Sequence, residues 1–355
     1  MSQSLLVQDA PSLQETQVRM EAKLRRVVPE VEIRIKAELA YEINRLKREL
    51  NAVILGHNYM EPALFHSVPD YTGDSLELSR ISATTPADII LFCGVQFMAE
   101  TAKILNPGKT VLIPSKKAGC SLAAGISADD VKALREAYPG CVVVTYVNTY
   151  ADVKAEADYC CTSGNASKVV QHLLAKGHKT IVFLPDEFLA RNTAHELEIP
   201  FTLASRGRMP EPAADTCVIG WNVRCEVHDQ FTVGDVHNVR RQFPEVTILA
   251  HPECSPEVID EVDYAGSTKQ MIEFINKTEA NQLLLLTECS MGDNIMAEYP
   301  NKDIVRLCSI RCPHMNQITL EDTLEALRKI QYKIELPEDL IKRARVSIDR
   351  MLEIR

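Results

Sequence analysis

The chain has 355 residues, 46% of them apolar and 25% charged, and a formal net charge of −10. That length suits two or three ordinary domains, and the acidity argues against a general nucleic-acid binder, which neutralises phosphates with Lys and Arg. No window approaches the ~20 apolar residues of a membrane span, and the start, MSQSLLVQDAPSLQETQ, lacks a basic stretch followed by a long apolar one. A cytoplasmic protein that binds neither nucleic acid nor membrane is expected.

In chain order, residues 1–48 read as an N-terminal helical extension, and three stretches of one pattern follow. The first runs NAVILGHNY (Asn51–Tyr59), PDYTGDS (Pro69–Ser75), DIILFCGVQFM (Asp88–Met98) and TVLIPSKKAGC, ending at Cys120. The second runs CVVVTYVNT (Cys141–Thr149), ADYCCTS (Ala157–Ser163), KTIVFLPDEFL (Lys179–Leu189) and CVIGWNVRC, ending at Cys225. The third runs VTILAHPEC (Val246–Cys254), VDYAGST (Val262–Thr268), QLLLLTECSM (Gln282–Met291) and IVRLCSIRC, ending at Cys312. The Asp-Tyr pairs at 70–71, 158–159 and 263–264 lie 12 or 13 residues after His57, Tyr146 and His251. Short continuous runs of Val, Ile and Leu suit strands buried on both faces of a parallel sheet.

This pattern predicts an α/β fold: three similar three-layer αβα domains with parallel sheets around a pseudo-threefold axis. The expected boundaries are 49–140, 141–245 and 246–332, with a C-terminal helix over 333–355. The Pro- and Ala-containing stretch Ala194–Asp215 reads as a surface excursion of the second repeat.

Eleven cysteines without a secretion signal read poorly as a disulfide framework. Three of them, Cys120, Cys225 and Cys312, each stand seven residues before a Ser or Thr that opens an S/T-x-x-D signature, at Ser127, Thr232 and Thr319. That signature starts a capped helix. One thiol therefore sits just past a strand and before a helix in each repeat, and a single 4Fe-4S cluster held by the three would keep one iron without a protein ligand. Zinc is the competing metal, although no C-x2-C pair is present. Cys93, Cys141, Cys160, Cys161, Cys217, Cys254 and Cys289 lie in or beside apolar runs and read as buried thiols.

The segments GHNY (56–59), GDSLELS (73–79), GVQFMAETAKIL (94–105), YVNT (146–149), CTSGNA (161–166), HPEC (251–254), GSTKQM (266–271) and CPHM (312–315) resemble the quinolinate synthase family. The resemblance runs in order over about residues 50–330. It implies a triangular assembly of three α/β domains, with the 4Fe-4S cluster at the centre on Cys120, Cys225 and Cys312. It implies condensation of iminoaspartate with dihydroxyacetone phosphate to quinolinate, releasing phosphate and water, in de novo NAD synthesis. A functional link to L-aspartate oxidase or aspartate dehydrogenase follows. A three-cysteine zinc hydrolase and a non-catalytic iron-sulfur sensor are the alternatives. Where some relatives have C-x2-C-x2-C, this chain has Cys308 four residues before Cys312, so Cys308 is expected to be structural.

Each polar residue at a strand end has a bland reading beside this one. His57 suits a loop residue bonded to a carbonyl; the resemblance makes it a substrate ligand, with Tyr59 a candidate acid or base. Tyr146 and Asn148, two apart, are expected on one side of a strand end, where Asn148 offers amide donors for a carboxylate. Ser75, Ser163 and Thr268 suit helix caps, and the resemblance assigns them to substrate. His251 and Glu253 form a candidate proton-transfer pair and substrate contacts, with Glu253 as principal acid/base. His228 is a weaker candidate, and Glu226 stands where some relatives of the family place a histidine. Lys103, Lys116, Lys117, Arg224 and Arg311 are either solvated or sources of positive potential.

Overall fold

The computed structural model describes residues 6–306 and 310–354. Its strands are β1 (Ala52–His57), β2 (Tyr71–Gly73), β3 (Ile89–Cys93), β4 (Thr110–Leu112), β5 (Val142–Tyr146), β6 (Tyr159–Cys161), β7 (Thr180–Leu184), β8 (Phe201–Ala204), β9 (Cys217–Trp221), β10 (Thr247–Ala250), β11 (Tyr264–Ala265), β12 (Gln282–Leu286) and β13 (Asp303–Val305). They form three parallel sheets, in the orders β2-β1-β3-β4, β6-β5-β7-β9-β8 and β11-β10-β12-β13. Helices alternate with the strands throughout, as three αβα repeats require.

Two details go beyond the repeat pattern read from the sequence. The Asp-Tyr segments form short edge strands of their own, β2, β6 and β11, so each repeat has at least four strands. The presumed surface excursion contains β8, which pairs in parallel with β9 from Phe201↔Val218 to Ala204↔Trp221 and gives the middle sheet a fifth strand.

By contact density the chain divides into one unit of residues 1–119 with 278–335 and another of 120–277 with 336–355. In the first, the helices Leu13–Leu24 and Glu30–Glu49 pack together, and the second of them also packs on Leu320–Lys329. In the second, Leu134, Val143, Val182, Ile219 and Trp221 form one core with Cys141 and Cys217. The C-terminal helix Glu338–Glu353 covers the helix Ala151–Glu156 and β6, where Ser347 donates to the Lys154 carbonyl at 2.8 Å.

The Asp-Tyr register has a structural cause. Each aspartate accepts the N–H of a residue in the first strand of its own repeat: Asp70 from Ile54, Asp158 from Val143 and Asp263 from Ile248, all at 2.8 Å. Each also meets one cation, Lys47 at 2.9 Å, Arg135 at 2.8 Å and Arg240 at 3.2 Å. The carboxylate thereby pins the start of the short strand to its neighbour, while the opposite end of that neighbour carries His57 or Tyr146, or leads into His251.

The helices after the cysteines, Ala128–Ala137, Val233–Gln242 and Leu320–Lys329, start where the S/T-x-x-D signatures place them. Ser127 with Asp130 and Thr232 with Asp235 form reciprocal capping boxes, and Thr319 accepts from the Asp322 N–H.

Candidate active site and metal centre

Within the second unit, the ends of β5 and β10 and the loop after β9 build a buried polar centre around Glu253, which is 3% exposed. The Tyr146 hydroxyl donates to Glu253 Oε1 at 2.6 Å. His228 Nδ1 lies 2.8 Å from Oε2 and 3.3 Å from Cys225 Sγ. An ionised carboxylate brings no proton to that contact, so His228 carries one on Nδ1. His251 Nδ1 instead accepts the Glu253 N–H at 3.3 Å. The two imidazoles stack, with centroids 4.6 Å apart at 25°. Burial alone would push Glu253 upward, but the fields of His251 and His228 and the hydrogen bonds from His228 and Tyr146 outweigh it and hold the carboxyl well below the usual range. Glu253 thus rests as a base.

Asn148 lies in the bend after β5, which ends at Tyr146, so strand alternation does not orient it. Its Oδ1 is buried with no protein partner among the described residues. Ser163 lies in the turn before the helix Ala166–Ala175, and Gly164 there lets the chain approach Ser267, since a Cβ at 164 would stand 3.2 Å from Ser267 Oγ. Ser267 caps the helix Thr268–Lys277 reciprocally with Gln270, so Thr268 does not serve as that cap.

In the first unit, His57 ends β1 and repeats the His251 geometry: its Nδ1 accepts the Tyr59 N–H at 3.2 Å, and its ring meets the Tyr59 ring edge-on at 4.8 Å. Tyr59 Oη is 2.5 Å from Thr287 Oγ1, just past β12. Asp74, not Ser75, caps the helix Ser75–Thr84. Asn294 donates to the carbonyls of Asn58 and Met60 and fixes this turn.

The three register cysteines are partly exposed, whereas Cys93, Cys141, Cys160, Cys161, Cys217 and Cys254 are buried as expected; Cys289 is only partly buried. Cys308 lies outside the described residues. In the second unit the segments carrying Cys120 and Cys225 are held together. Trp221 Nε1 donates to the Gly125 carbonyl at 3.2 Å, and a Cβ at Gly125 would strike Val223 Cγ1 at 2.6 Å. Burial pushes the Cys225 thiol well above its ordinary value, as do the charges of Glu253 and Cys120, although the N–H groups of His228 and Val227 are aimed at its sulfur. A thiolate there needs a cation, and two N–H donors already face it. The donor set therefore fits a metal centre.

The profile of the quinolinate synthetase A protein family matches residues 41–353. The chain belongs to this family. Quinolinate synthase 1 of Mesorhizobium japonicum is 46% identical over 330 residues, 93% of this chain and 95% of that one. Quinolinate synthase of Caulobacter vibrioides is 44% identical, covering 94% and 86%, and that of Xylella fastidiosa is 46% identical, covering 88% and 86%. Among the described residues no helix is long and apolar enough to cross a membrane.

For this member of the quinolinate synthetase A family, His228 outranks its expected place. It joins Cys225 and Glu253 in a set of ligand atoms all within 4.8 Å of one another. Thr287, Asp186 and Glu288 were not foreseen. Asp186 and Glu288 directly precede the helix that follows β7 and β12, and that shared position was the available signal. Of the basic residues proposed as field sources, Lys103 is held by the carbonyls of Pro107 and Lys109, Arg224 by Glu187 and Asp229, and Arg311 by Ser290 and Asp293. Lys116 lies over the Tyr332 ring, 5.4 Å from its centroid.

Proposed function

We propose that this chain condenses iminoaspartate with dihydroxyacetone phosphate to quinolinate, releasing phosphate and water, as an early step of de novo NAD synthesis in the cytoplasm. The observation that carries the reading is Glu253: a buried carboxylate held ready as a base by Tyr146 and His228, beside Cys225, in a chain of this family. Repeats bounded at 49–140, 141–245 and 246–332 would each give one cysteine, Cys120, Cys225 and Cys312, to one 4Fe-4S cluster. When bound, that cluster supplies a Lewis-acidic iron with no cysteine ligand.

The protein's own groups then divide the work. Glu253 takes the proton whose loss makes the carbon nucleophile. His228, whose Nδ1 already carries a proton, steadies the ionised carboxylate through its 2.8 Å contact. His251, stacked on His228 beside Glu253, and Tyr59 protonate departing oxygen. Asn148, His57, Ser75, Ser163 and Thr268 orient the carboxylates and phosphate; the capping role is already filled by Asp74 at the first of these hydroxyls and by Ser267 at the last. Iminoaspartate is short-lived in water, so an L-aspartate oxidase or dehydrogenase must supply it nearby.

The compact Cys225, His228 and Glu253 set also suits a single zinc ion. One experiment separates the readings. Anaerobically purified protein is expected to carry about four iron and four sulfide per chain and to form quinolinate from the two substrates. Serine at Cys120, Cys225 or Cys312 should abolish the cluster spectrum, and E253Q should spare it while stopping turnover. Stoichiometric zinc without sulfide would overturn the proposal.

A further inference from the structure

The same main-chain bond recurs beside all three register cysteines. The first N–H of the helix after β3, β7 or β12 donates to the carbonyl two residues before the cysteine: Gln96 to Ala118 at 2.8 Å, Glu187 to Val223 at 2.8 Å and Cys289 to Ile310 at 3.0 Å. The residue just ahead of that donor is Val95 in the first repeat, Asp186 in the second and Glu288 in the third. Val95 has no side-chain cap to offer. The two acids are 0% and 2% exposed.

Each acid faces two ways. Asp186 Oδ1 accepts the Leu189 N–H at 2.6 Å, and Glu288 accepts the Ser290 N–H at 2.7 Å and faces its hydroxyl at 3.2 Å. On the other side Glu288 receives the backbone N–H of Cys312. The Asp186 carboxyl faces the backbone N–H of Cys225, while its Oδ2 closes no hydrogen bond of ordinary length among the described residues. In both repeats a helix start and a cysteine amide are thus addressed by one carboxyl.

We propose that Glu288 and Asp186 are positioning residues that fix the main chain of Cys312 and Cys225 for cluster binding, a bracket that Cys120 lacks. The inference rests on the cluster proposed above. A group whose ligands come from segments 105 and 87 residues apart is retained only while every ligand stays in place, and an amide tied to a capped helix limits the recoil of its sulfur. Because the bracket needs an acceptor toward both N–H groups, the isosteric amide, whose NH2 only donates, should keep one contact and lose the other.

The test uses anaerobic holoprotein and measures the rate of iron release to a ferrous chelator, with the visible and EPR spectra and the thermal midpoint of the metal-free protein alongside. E288A and D186A are expected to lose iron at least tenfold faster than wild type with a nearly unchanged metal-free midpoint. E288Q and D186N should fall between wild type and alanine, and V95A should stay within about twofold of wild type. If the alanine variants hold iron like wild type, or V95A loses it as fast as they do, the bracket is refuted while the cluster stands. Wild-type protein without iron and sulfide would instead remove the functional proposal and this one with it.

Discussion

Glu253 is usable as a base because both of its oxygens meet donors, one at the end of β5 and one in the turn after Cys225. Losing one donor weakens the charged form, and a hydrogen bond to a charged group contributes about 1.5–3 kcal/mol, or about one to two units of pKa. Y146F should therefore move the acid limb of the kcat/KM profile for quinolinate formation to higher pH by about one unit or more. An unmoved limb would show that another group titrates there. At this scale the sequence was legible where a role attaches to a residue's place in its own repeat: the three cysteines, His57 and His251 stand where the register puts them. It was not legible where a role is a meeting of segments. His228 and Glu253 are 25 residues apart, and only the turn after Cys225 brings the imidazole onto the carboxylate. Thr287 and Tyr59 are farther apart still, and nothing local marks the threonine.

At the scale of elements, the helix starts could be read because a cap is a four-residue device whose partners lie within one turn. The extra strand β8 escaped because its four residues, Phe201–Ala204, are too few for a period to show. The Asp-Tyr register was visible long before its cause, a strand pinned by a carboxylate and a cation. The three pins differ in cost. Lys47 has 5% of its side chain exposed beside Asp70, whereas Arg240 and Asp263 are 35% and 40% exposed. D70A leaves a buried ammonium with one partner fewer and should destabilise by about 3 kcal/mol. D263A loses an exposed pair and one strand hydrogen bond, about 1 kcal/mol. Urea unfolding followed by circular dichroism checks the order, and equal losses would contradict it.

For the molecule as a whole, a net charge of −10 makes acid the condition to watch. His66 follows the short helix Pro62–Phe65, and its Nε2 is buried with no protein partner among the described residues. Burial, helped by Lys23 and opposed by Glu298 and the Asn294 backbone, lowers it from 6.5 to about 4. The unfolded chain then binds more protons than the folded one between those values. Stability present above pH 6.5 is lost as pH falls toward 4, by up to about 3 kcal/mol. H66Q should flatten that part of the stability curve, and an identical slope in the variant would rule His66 out.

The C-terminal helix Glu338–Glu353 completes the second unit. Ser347 reaches the Lys154 carbonyl and the Cys160 sulfur, and Lys154, 0% exposed, spends its ammonium on the carbonyls of Val147 and Thr149, around the bend that holds Asn148. On the ribosome that bend is made some two hundred residues before its cover. Nascent chains must therefore keep the middle repeat unfinished until this helix has been made, and a message cut short after Cys312 would encode every expected cluster ligand yet leave Lys154 in water.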